Sequence, residues 1–134
     1  MVGIVIASHH TLAEALKQTL AVIIGNADNV AALSLAKTER LEDFSARLIE
    51  TVKEKETGEG VIIFTDMFGG TPCNAALMHF GKDDKVKVLA GFNLPIVIEA
   101  VMHSSKNIDD LFKTLMEKRD KTIIDAKAIF SKRG

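Results

Sequence analysis

Two adjacent histidines, His9 and His10, follow an apolar stretch at residues 2–7 and precede a predicted helix that starts at residue 12. An imidazole attacks phosphorus through one ring nitrogen when a proton is held on the other nitrogen. A carboxylate that accepts the N–H of that other nitrogen fixes the tautomer and stabilises the charge that develops on the ring. We therefore predict that His9 is a covalent phosphoryl carrier and that an acidic side chain lies beside it.

Asp66 is the acidic residue that fits this role. It follows a continuous apolar segment at residues 61–65, which is typical of a strand buried on both faces. If that strand runs parallel to the strand before His9, their carboxyl ends share one edge of the sheet, where ligands usually bind. The sequence thus predicts that Asp66 orients the imidazole of His9.

A glycine-rich loop, MFGGTPCN at residues 67–74, follows that carboxylate. Gly69 and Gly70 permit a tight turn and a close approach of the backbone to a ligand. Thr71 is predicted to be the N-cap of a helix, with Pro72 in the first helical position, where a missing N–H has no consequence. Backbone N–H groups at this helix start bind phosphoryl oxygens well, so Gly70 and Thr71 are the expected phosphoryl-binding residues.

Each of these residues also has a purely structural interpretation. A histidine at a strand end can be a cap, Asp66 can be a turn residue, and paired glycines can be a connector. His10 is expected to point away from His9 if the strand geometry continues, and it stays the alternative acceptor. His79 and His103 fall at the ends of predicted helices and are expected to be structural or solvent-facing. The spacing of histidines and carboxylates does not demand a metal, so neither a metal nor another cofactor is predicted.

Alternating strands and helices are predicted to position these groups. Apolar segments predict strands at residues 2–7, 29–35, 61–65 and 85–90, and helical periodicity predicts helices at residues 12–24, 41–55, 72–78, 95–102 and 108–116. This alternation is typical of an α/β fold with a doubly wound parallel sheet and helices on both faces. Right-handed crossovers then bring three loops to one edge, around His9, residues 66–71 and residues 91–95. The tail at residues 122–130 is predicted to be a further strand that completes the sheet, either of the same chain or of a neighbouring subunit.

The length and composition of the chain limit the classes of protein to which it can belong. A chain of 134 residues predicts a single domain over residues 1–134. With 17 basic and 18 acidic side chains, the balance of charge gives no reason to expect nucleic acid or an anionic membrane as a partner. The apolar start is short and lacks a basic leader, which is unlike a signal peptide, and no apolar segment approaches the roughly 20 residues of a membrane span. A single cysteine, Cys73, fits a reducing cytoplasm.

Three motifs resemble one known family, the IIA component of the mannose class of the bacterial phosphoenolpyruvate:sugar phosphotransferase system (PTS). They are IVIASH at residues 4–9, DMFGGTPCNAA at residues 66–76 and GFNLP at residues 91–95. The resemblance implies that His9 accepts a phosphoryl group from the phosphocarrier HPr and passes it to a histidine of the IIB component, while the membrane components IIC and IID are reached only indirectly. It likewise implies that Asp66 is the carboxylate partner and that Thr71 is near the phosphoryl site.

The same resemblance implies a four-stranded parallel sheet with an added antiparallel strand that is exchanged in a homodimer. The tail at residues 122–130 would be that strand. It also implies that IIB is a separate polypeptide, since the sequence ends soon after the IIA motifs. The chain departs from the family pattern at His10, where a small residue is frequent, and at Cys73, where a large aromatic residue is common.

Two alternatives remain open at the level of sequence. The phosphotransfer subunit of dihydroxyacetone kinases has a related domain that also uses a histidine after its first strand, although the GGTP loop at residues 69–72 favours the sugar system. The chain could also be a non-enzymatic regulatory binding module that uses the same loops without covalent chemistry. Substitution His9→Ala separates these possibilities, because it abolishes phosphoryl transfer but leaves much of the affinity of a binding module.

Overall fold

The computed structural model describes residues 1–133, which alternate between strands and helices as the sequence predicts. The strands are β1 (Gly3–His9), β2 (Val30–Leu35), β3 (Val61–Thr65) and β4 (Val86–Ala90). The helices are α1 (Leu12–Ile24), α2 (Leu41–Lys55), α3 (Thr71–Phe80), α4 (Leu94–Met102), α5 (Ile108–Lys118) and α6 (Ala126–Arg133), with a 3-10 turn at Arg119–Lys121. No helix among these is both long and apolar enough to cross a membrane.

The four strands form one parallel sheet in the order β2-β1-β3-β4. The chain moves from β1 outward to β2, then crosses back to β3 and β4, which confirms the predicted doubly wound arrangement. The direction of winding therefore changes between β1 and β3. Loops that leave two such strands on opposite faces open a crevice at their carboxyl ends, and this crevice is the usual ligand site of the fold.

Both faces of the sheet are apolar, and each is covered by its own helices. On one face, Ile4 and Phe64 pack in a core that includes residues of α1, α4 and α5. On the other face, Val5 and Ala7 pack against residues of α2 and α3. Because side chains alternate along a strand, His9 falls on the same face as Val5 and Ala7. The apolar pattern of β1 thus directs His9 towards α3.

Strand β2 is an edge strand, as its short and weakly alternating sequence predicts. The carbonyl of Leu35 accepts the N–H of His10 from the β1 side, so the neighbouring carbonyl of Ser34 faces away from the sheet. Arg47 of α2 donates from Nη1 to this outward carbonyl at 3.1 Å. The same guanidinium is held by Glu39 at 2.8 Å, which fixes it over the edge.

The strand predicted over residues 122–130 is wrong for the single chain, because this segment leads into the helix α6. Asp125 caps that helix by accepting the N–H of Ala128 at 3.0 Å. A strand needs a neighbour for its backbone polar groups, whereas a helix pairs them within the segment, so an isolated tail favours the helix. Its apolar side chains stay exposed, Ile123 at 82% and Phe130 at 76%. The homodimer and the exchange of this tail stay predictions.

Candidate active site

His9 and Asp66 meet where the direction of winding changes. His9 is the last residue of β1, and Asp66 follows directly after the neighbouring parallel strand β3. The Nδ1 atom of His9 lies 2.8 Å from Oδ2 of Asp66, and the backbone N–H of His9 donates to the same oxygen at 3.0 Å. The structure thus brings together the two residues that the sequence predicted as nucleophile and orienting carboxylate.

This contact decides which ring nitrogen of His9 is available for chemistry. An ionised carboxylate only accepts hydrogen bonds, so the ring proton of neutral His9 resides on Nδ1 and the lone pair on Nε2. The side chain of His9 is 44% exposed, whereas that of Asp66 is 12% exposed. The arrangement therefore combines a reachable nucleophile with a carboxylate that is largely protected from water.

Gly70 forms one wall of the site. It is the N-cap of α3, and a Cβ atom added to it would lie 2.6 Å from Cε1 and 3.3 Å from Nε2 of His9. Real Cβ atoms do not approach other atoms as closely as 2.6 Å, so any residue other than glycine would displace the ring of His9 from this position. The preceding Gly69 has φ +85, a conformation that glycine adopts without strain. The paired glycines thus place the Nε2 edge of His9 against the amino end of α3.

The amino end of α3 supplies donors for an anion. A helix leaves its first N–H groups without helical partners, and in α3 these belong to Gly70, Thr71 and Cys73, since Pro72 has none. Together with the helix dipole they favour a negatively charged group beside His9.

The predicted N-cap role of Thr71 is wrong. The structure places Gly70 in that position, with Thr71 as the first helical residue and without a capping hydrogen bond from a side chain. The reason is that Gly70 already has extended backbone angles, with φ −78 and ψ 168, so the helix begins one residue after it. Asn74, which the sequence reasoning did not single out, donates from its side chain to the carbonyl of Gly69 at 3.2 Å and ties the loop to the helix.

The third predicted loop, residues 91–95, joins the same edge of the sheet. The N–H groups of Gly91 and Phe92 donate to the carbonyl of Thr65, the last residue of β3, at 2.9 and 3.4 Å. Asn93 caps α4 by accepting the N–H of Ile96 at 3.0 Å, and its side-chain amide donates to a threonine hydroxyl of the C-terminal segment. This loop therefore supports the end of β3, and the side chain of Asn93 connects the start of α4 to Thr122.

The other histidines have different surroundings. His10 is exposed and adopts φ +52, and its Nδ1 lies 3.2 Å from the hydroxyl of Thr11. His79 is exposed on α3. His103 follows α4, with Nε2 at 3.2 Å from the carboxylate of Glu99. Within residues 1–133, no group of three or more His, Cys, Asp or Glu side chains is arranged to hold a metal ion.

Ser8 is a buried residue beside His9 to which the sequence reasoning assigned no role. Its Oγ accepts the N–H of Ala13 at 2.7 Å and lies 3.0 Å from the carbonyl oxygen of His9. A serine at the end of an apolar strand carries no local signal of such contacts, because the helix that it caps begins several residues later.

Both the sequence and the fold are similar to known proteins. Residues 3–116 match the family EIIA-man, described as "PTS system fructose IIA component". The chain is 31% identical over 101 residues to the PTS system fructose-specific EIIA component of Bacillus subtilis, a match that spans 75% of this chain and 69% of that protein. It is 30% identical over 101 residues to the PTS system mannose-specific EIIAB component of Escherichia coli K12, of whose length the match spans 31%. The crystal structure of the phosphotransferase system component EIIA from Streptococcus agalactiae superposes with a TM-score of 0.86 at 26% identity, over 96% of this chain and 99% of that one.

Proposed function

Because this chain belongs to the EIIA-man family of PTS IIA components, we propose that it is a cytoplasmic phosphoryl carrier that accepts phosphate from phospho-HPr on His9. The phosphoryl group then passes to a histidine of a IIB component during sugar uptake. The observation that carries the proposal is the 2.8 Å contact between Nδ1 of His9 and Oδ2 of Asp66. The geometry matches what nucleophilic attack by an imidazole requires, one nitrogen protonated and one free.

In the proposed transfer, Nε2 of His9 attacks the phosphorus of phospho-HPr. The new N–P bond forms while the N–P bond to the HPr histidine breaks, and the lone pair of that bond returns to the HPr ring. The proton on Nδ1 of His9 stays between the ring and Asp66, whose negative charge stabilises the positive charge that the ring gains. The same steps in reverse deliver the phosphoryl group to IIB.

The surroundings of Nε2 support this chemistry. Phosphoryl transfer asks a protein mainly for positioning and for donors directed at the three equatorial oxygens. The amino end of α3, with Gly70 beside the ring, offers backbone N–H groups for that purpose. The hydroxyl of Thr71, the first helical residue, is the proposed side-chain donor. The 44% exposure of the His9 side chain supports a protein as donor and acceptor, since both partner histidines must reach the same nitrogen.

A non-enzymatic binding module is the alternative from another class. It is favoured by a cavity of about 380 Å³ at the same sheet edge, lined in part by Gly91, Phe92, Asn93 and Arg119. The dihydroxyacetone kinase alternative has less support, because the relatives described above are named as components of sugar systems.

The experiment that tests the proposal is intact-mass analysis after incubation with phosphoenolpyruvate, enzyme I and HPr. Wild type, His9→Ala and His10→Ala are compared at neutral pH and after brief acid treatment, which cleaves phosphohistidine. We expect an acid-labile phosphate on wild type and His10→Ala and none on His9→Ala. Labelling that persists in His9→Ala and disappears in His10→Ala would move the site by one residue. Absence of labelling on all three proteins would favour the binding module.

A further inference from the structure

Ser8 connects the end of β1 to the start of α1 through a single buried hydroxyl group. The residue is 0% exposed, and so is Ala13, whose N–H donates to Ser8 Oγ at 2.7 Å. Ser8 Oγ in turn donates to the carbonyl oxygen of His9 at 3.0 Å, while the carbonyl of His10 lies farther away at 3.5 Å. One hydroxyl therefore accepts from the helix and donates to the backbone of the nucleophile.

The backbone on both sides of His9 is held by hydrogen bonds. The N–H of His9 donates to Asp66, and the carbonyl of His9 accepts from Ser8. The next N–H, that of His10, donates to the carbonyl of Leu35 at 3.0 Å. The peptide group between the two histidines is thus fixed at its oxygen and at its nitrogen, just before His10 adopts φ +52.

Thr11 is the residue that a local reading would assign as the cap of α1, since it immediately precedes the helix. Its side chain makes no capping hydrogen bond. The hydroxyl that serves the amino end of α1 comes instead from Ser8, three residues earlier and inside the strand. Because the capping hydroxyl lies in the strand, the capping of α1 and the position of the His9 backbone depend on the same group.

We infer that Ser8 is a positioning residue for phosphoryl transfer, acting on His9 through its backbone. The inference rests on the proposed function and adds a residue to it. The orientation of the His9 ring depends on where its Cα lies relative to Asp66 and Gly70, since these two residues confine the ring on either side. Loss of the Ser8 hydroxyl frees the His9 carbonyl and leaves a buried N–H of α1 without its acceptor, so the turn relaxes and the ring moves with it.

The test is a steady-state assay in which wild type, Ser8→Ala or Ser104→Ala transfers phosphate from phospho-HPr to an excess of a IIB protein. Ser104 is a matched control, because it is 3% exposed and its Oγ donates to a backbone carbonyl, that of Val101, at 2.9 Å. It lies at the opposite end of β1, where its carbonyl accepts the N–H of Val2. We expect kcat to fall by roughly tenfold to a hundredfold in Ser8→Ala with KM nearly unchanged, since misplacement affects the reacting atoms and not docking. Ser104→Ala is expected to keep the kcat of wild type.

A second pair of variants separates the effect of the hydroxyl group from the effect of side-chain packing. Ser8→Thr and Ser8→Val have the same shape and differ in whether a hydroxyl or a methyl group is present. Faster transfer by Ser8→Thr than by Ser8→Val supports the inference even if both fold less well than wild type. Equal rates for this pair, or a Ser8→Ala rate equal to that of Ser104→Ala, would overturn it.

Nitrogen-15 NMR of the free protein provides a readout that does not depend on transfer. At a pH at which the imidazole is neutral, we expect the ring proton of His9 in wild type and Ser104→Ala to lie on Nδ1 and to exchange slowly. In Ser8→Ala we expect faster exchange and a mixture of tautomers, whereas an unchanged spectrum counts against the inference. Failure of wild type to accept phosphate at His9 would instead overturn the proposed function, so the two failures are distinguishable.

Discussion

A single carboxylate oxygen, Oδ2 of Asp66, accepts two hydrogen bonds from His9, one from the backbone N–H at 3.0 Å and one from ring Nδ1 at 2.8 Å. The first bond fixes the position of the His9 backbone, and the second fixes the orientation of the His9 ring. The other carboxylate oxygen, Oδ1, is buried and has no hydrogen-bond partner among the described residues. Asp66 therefore directs its charge almost entirely at His9.

Substitution Asp66→Asn is expected to leave the fold nearly intact and to slow phosphoryl transfer by about a hundredfold or more. The amide oxygen can take the place of Oδ2, but the neutral group no longer stabilises a positive ring and no longer enforces the tautomer. Rapid-quench measurement of transfer from phospho-HPr, together with a thermal unfolding curve, checks both parts. Asp109→Asn, which alters a side chain that is 81% exposed on α5, is the control. An unchanged transfer rate in Asp66→Asn would remove Asp66 from the mechanism.

Substitution Gly70→Ala is expected to reduce transfer at least about tenfold, because the new methyl group collides with Cε1 of His9 at 2.6 Å. The backbone of Gly70 suits alanine, with φ −78 and ψ 168, so the effect is a collision without backbone strain. Gly25→Ala is a control with the opposite combination, because Gly25 has φ +82, which strains alanine, but open space around it. It should lower the free energy of unfolding by about 1–3 kcal/mol, because ψ 172 places Gly25 in a region that is nearly exclusive to glycine, and it should leave transfer unchanged. Comparable transfer rates for Gly70→Ala and Gly25→Ala would show that Gly70 does not confine the His9 ring.

His10 is expected to tolerate glycine better than a branched residue, because its φ of +52 lies in the left-handed region. His10→Gly should therefore exceed His10→Val in the free energy of unfolding by about 1 kcal/mol or more, which urea denaturation can measure. Both variants should still accept phosphate on His9. Loss of labelling in His10→Gly, with the fold intact, would instead point to His10 as the acceptor.

Glu39 predicts a dependence of stability on pH. Burial of this carboxyl raises its pKa, but the hydrogen bonds from Arg47 and from the N–H of Ala36, together with the positive charge of Arg47, outweigh burial and bring the pKa below its ordinary value of 4.5. A pKa that is lower in the folded state means that the carboxylate stabilises the fold above pH 4.5 and that this contribution is lost as pH falls through the folded-state pKa.

Glu39→Gln should accordingly lower the free energy of unfolding at pH 7 by about 1 kcal/mol, since one partner, Arg47, is nearly half exposed and partly screened. The difference from wild type should shrink as the pH falls below 4.5 and through the lower folded-state pKa of Glu39. Chemical denaturation across this pH range is the measurement. Glu42→Gln is the control, because Glu42 and its partner Arg40 are both about three-quarters exposed. If the free energy of unfolding of Glu39→Gln differed from that of wild type by the same amount at all pH values, the charge of Glu39 would not be the cause.

The sequence predicted most of the fold because the relevant signals are local. Apolar segments such as residues 61–65 can be satisfied only in a buried strand, and the alternation of strands with helices permits few topologies. The parallel sheet then places the residues after β1 and β3 at one edge, so the pairing of His9 with Asp66 followed from topology. Specific side-chain contacts were not predictable in this way, since neither the hydrogen bond from the Ala13 N–H to Ser8 nor the contact of Gly70 with His9 has a sequence pattern of its own.

Two departures of the single chain from the predicted elements have the same physical origin. Thr71 is a good capping residue, but the angles of the preceding glycine decide where the helix begins. The tail at residues 122–130 contains apolar residues that suit either a strand or a helix, and only a neighbouring strand would decide for the former. In both cases the local preference is weaker than the geometry of adjacent backbone.

The contact of Arg47 with the outward carbonyl of Ser34 occupies one of the acceptors that an added strand would need at the β2 edge of the sheet. A sheet with two open edges can add molecules at both sides and grow into a fibre. The Arg47 contact therefore makes the β2 edge a poorer template for an added strand than an edge whose outward carbonyls are all free.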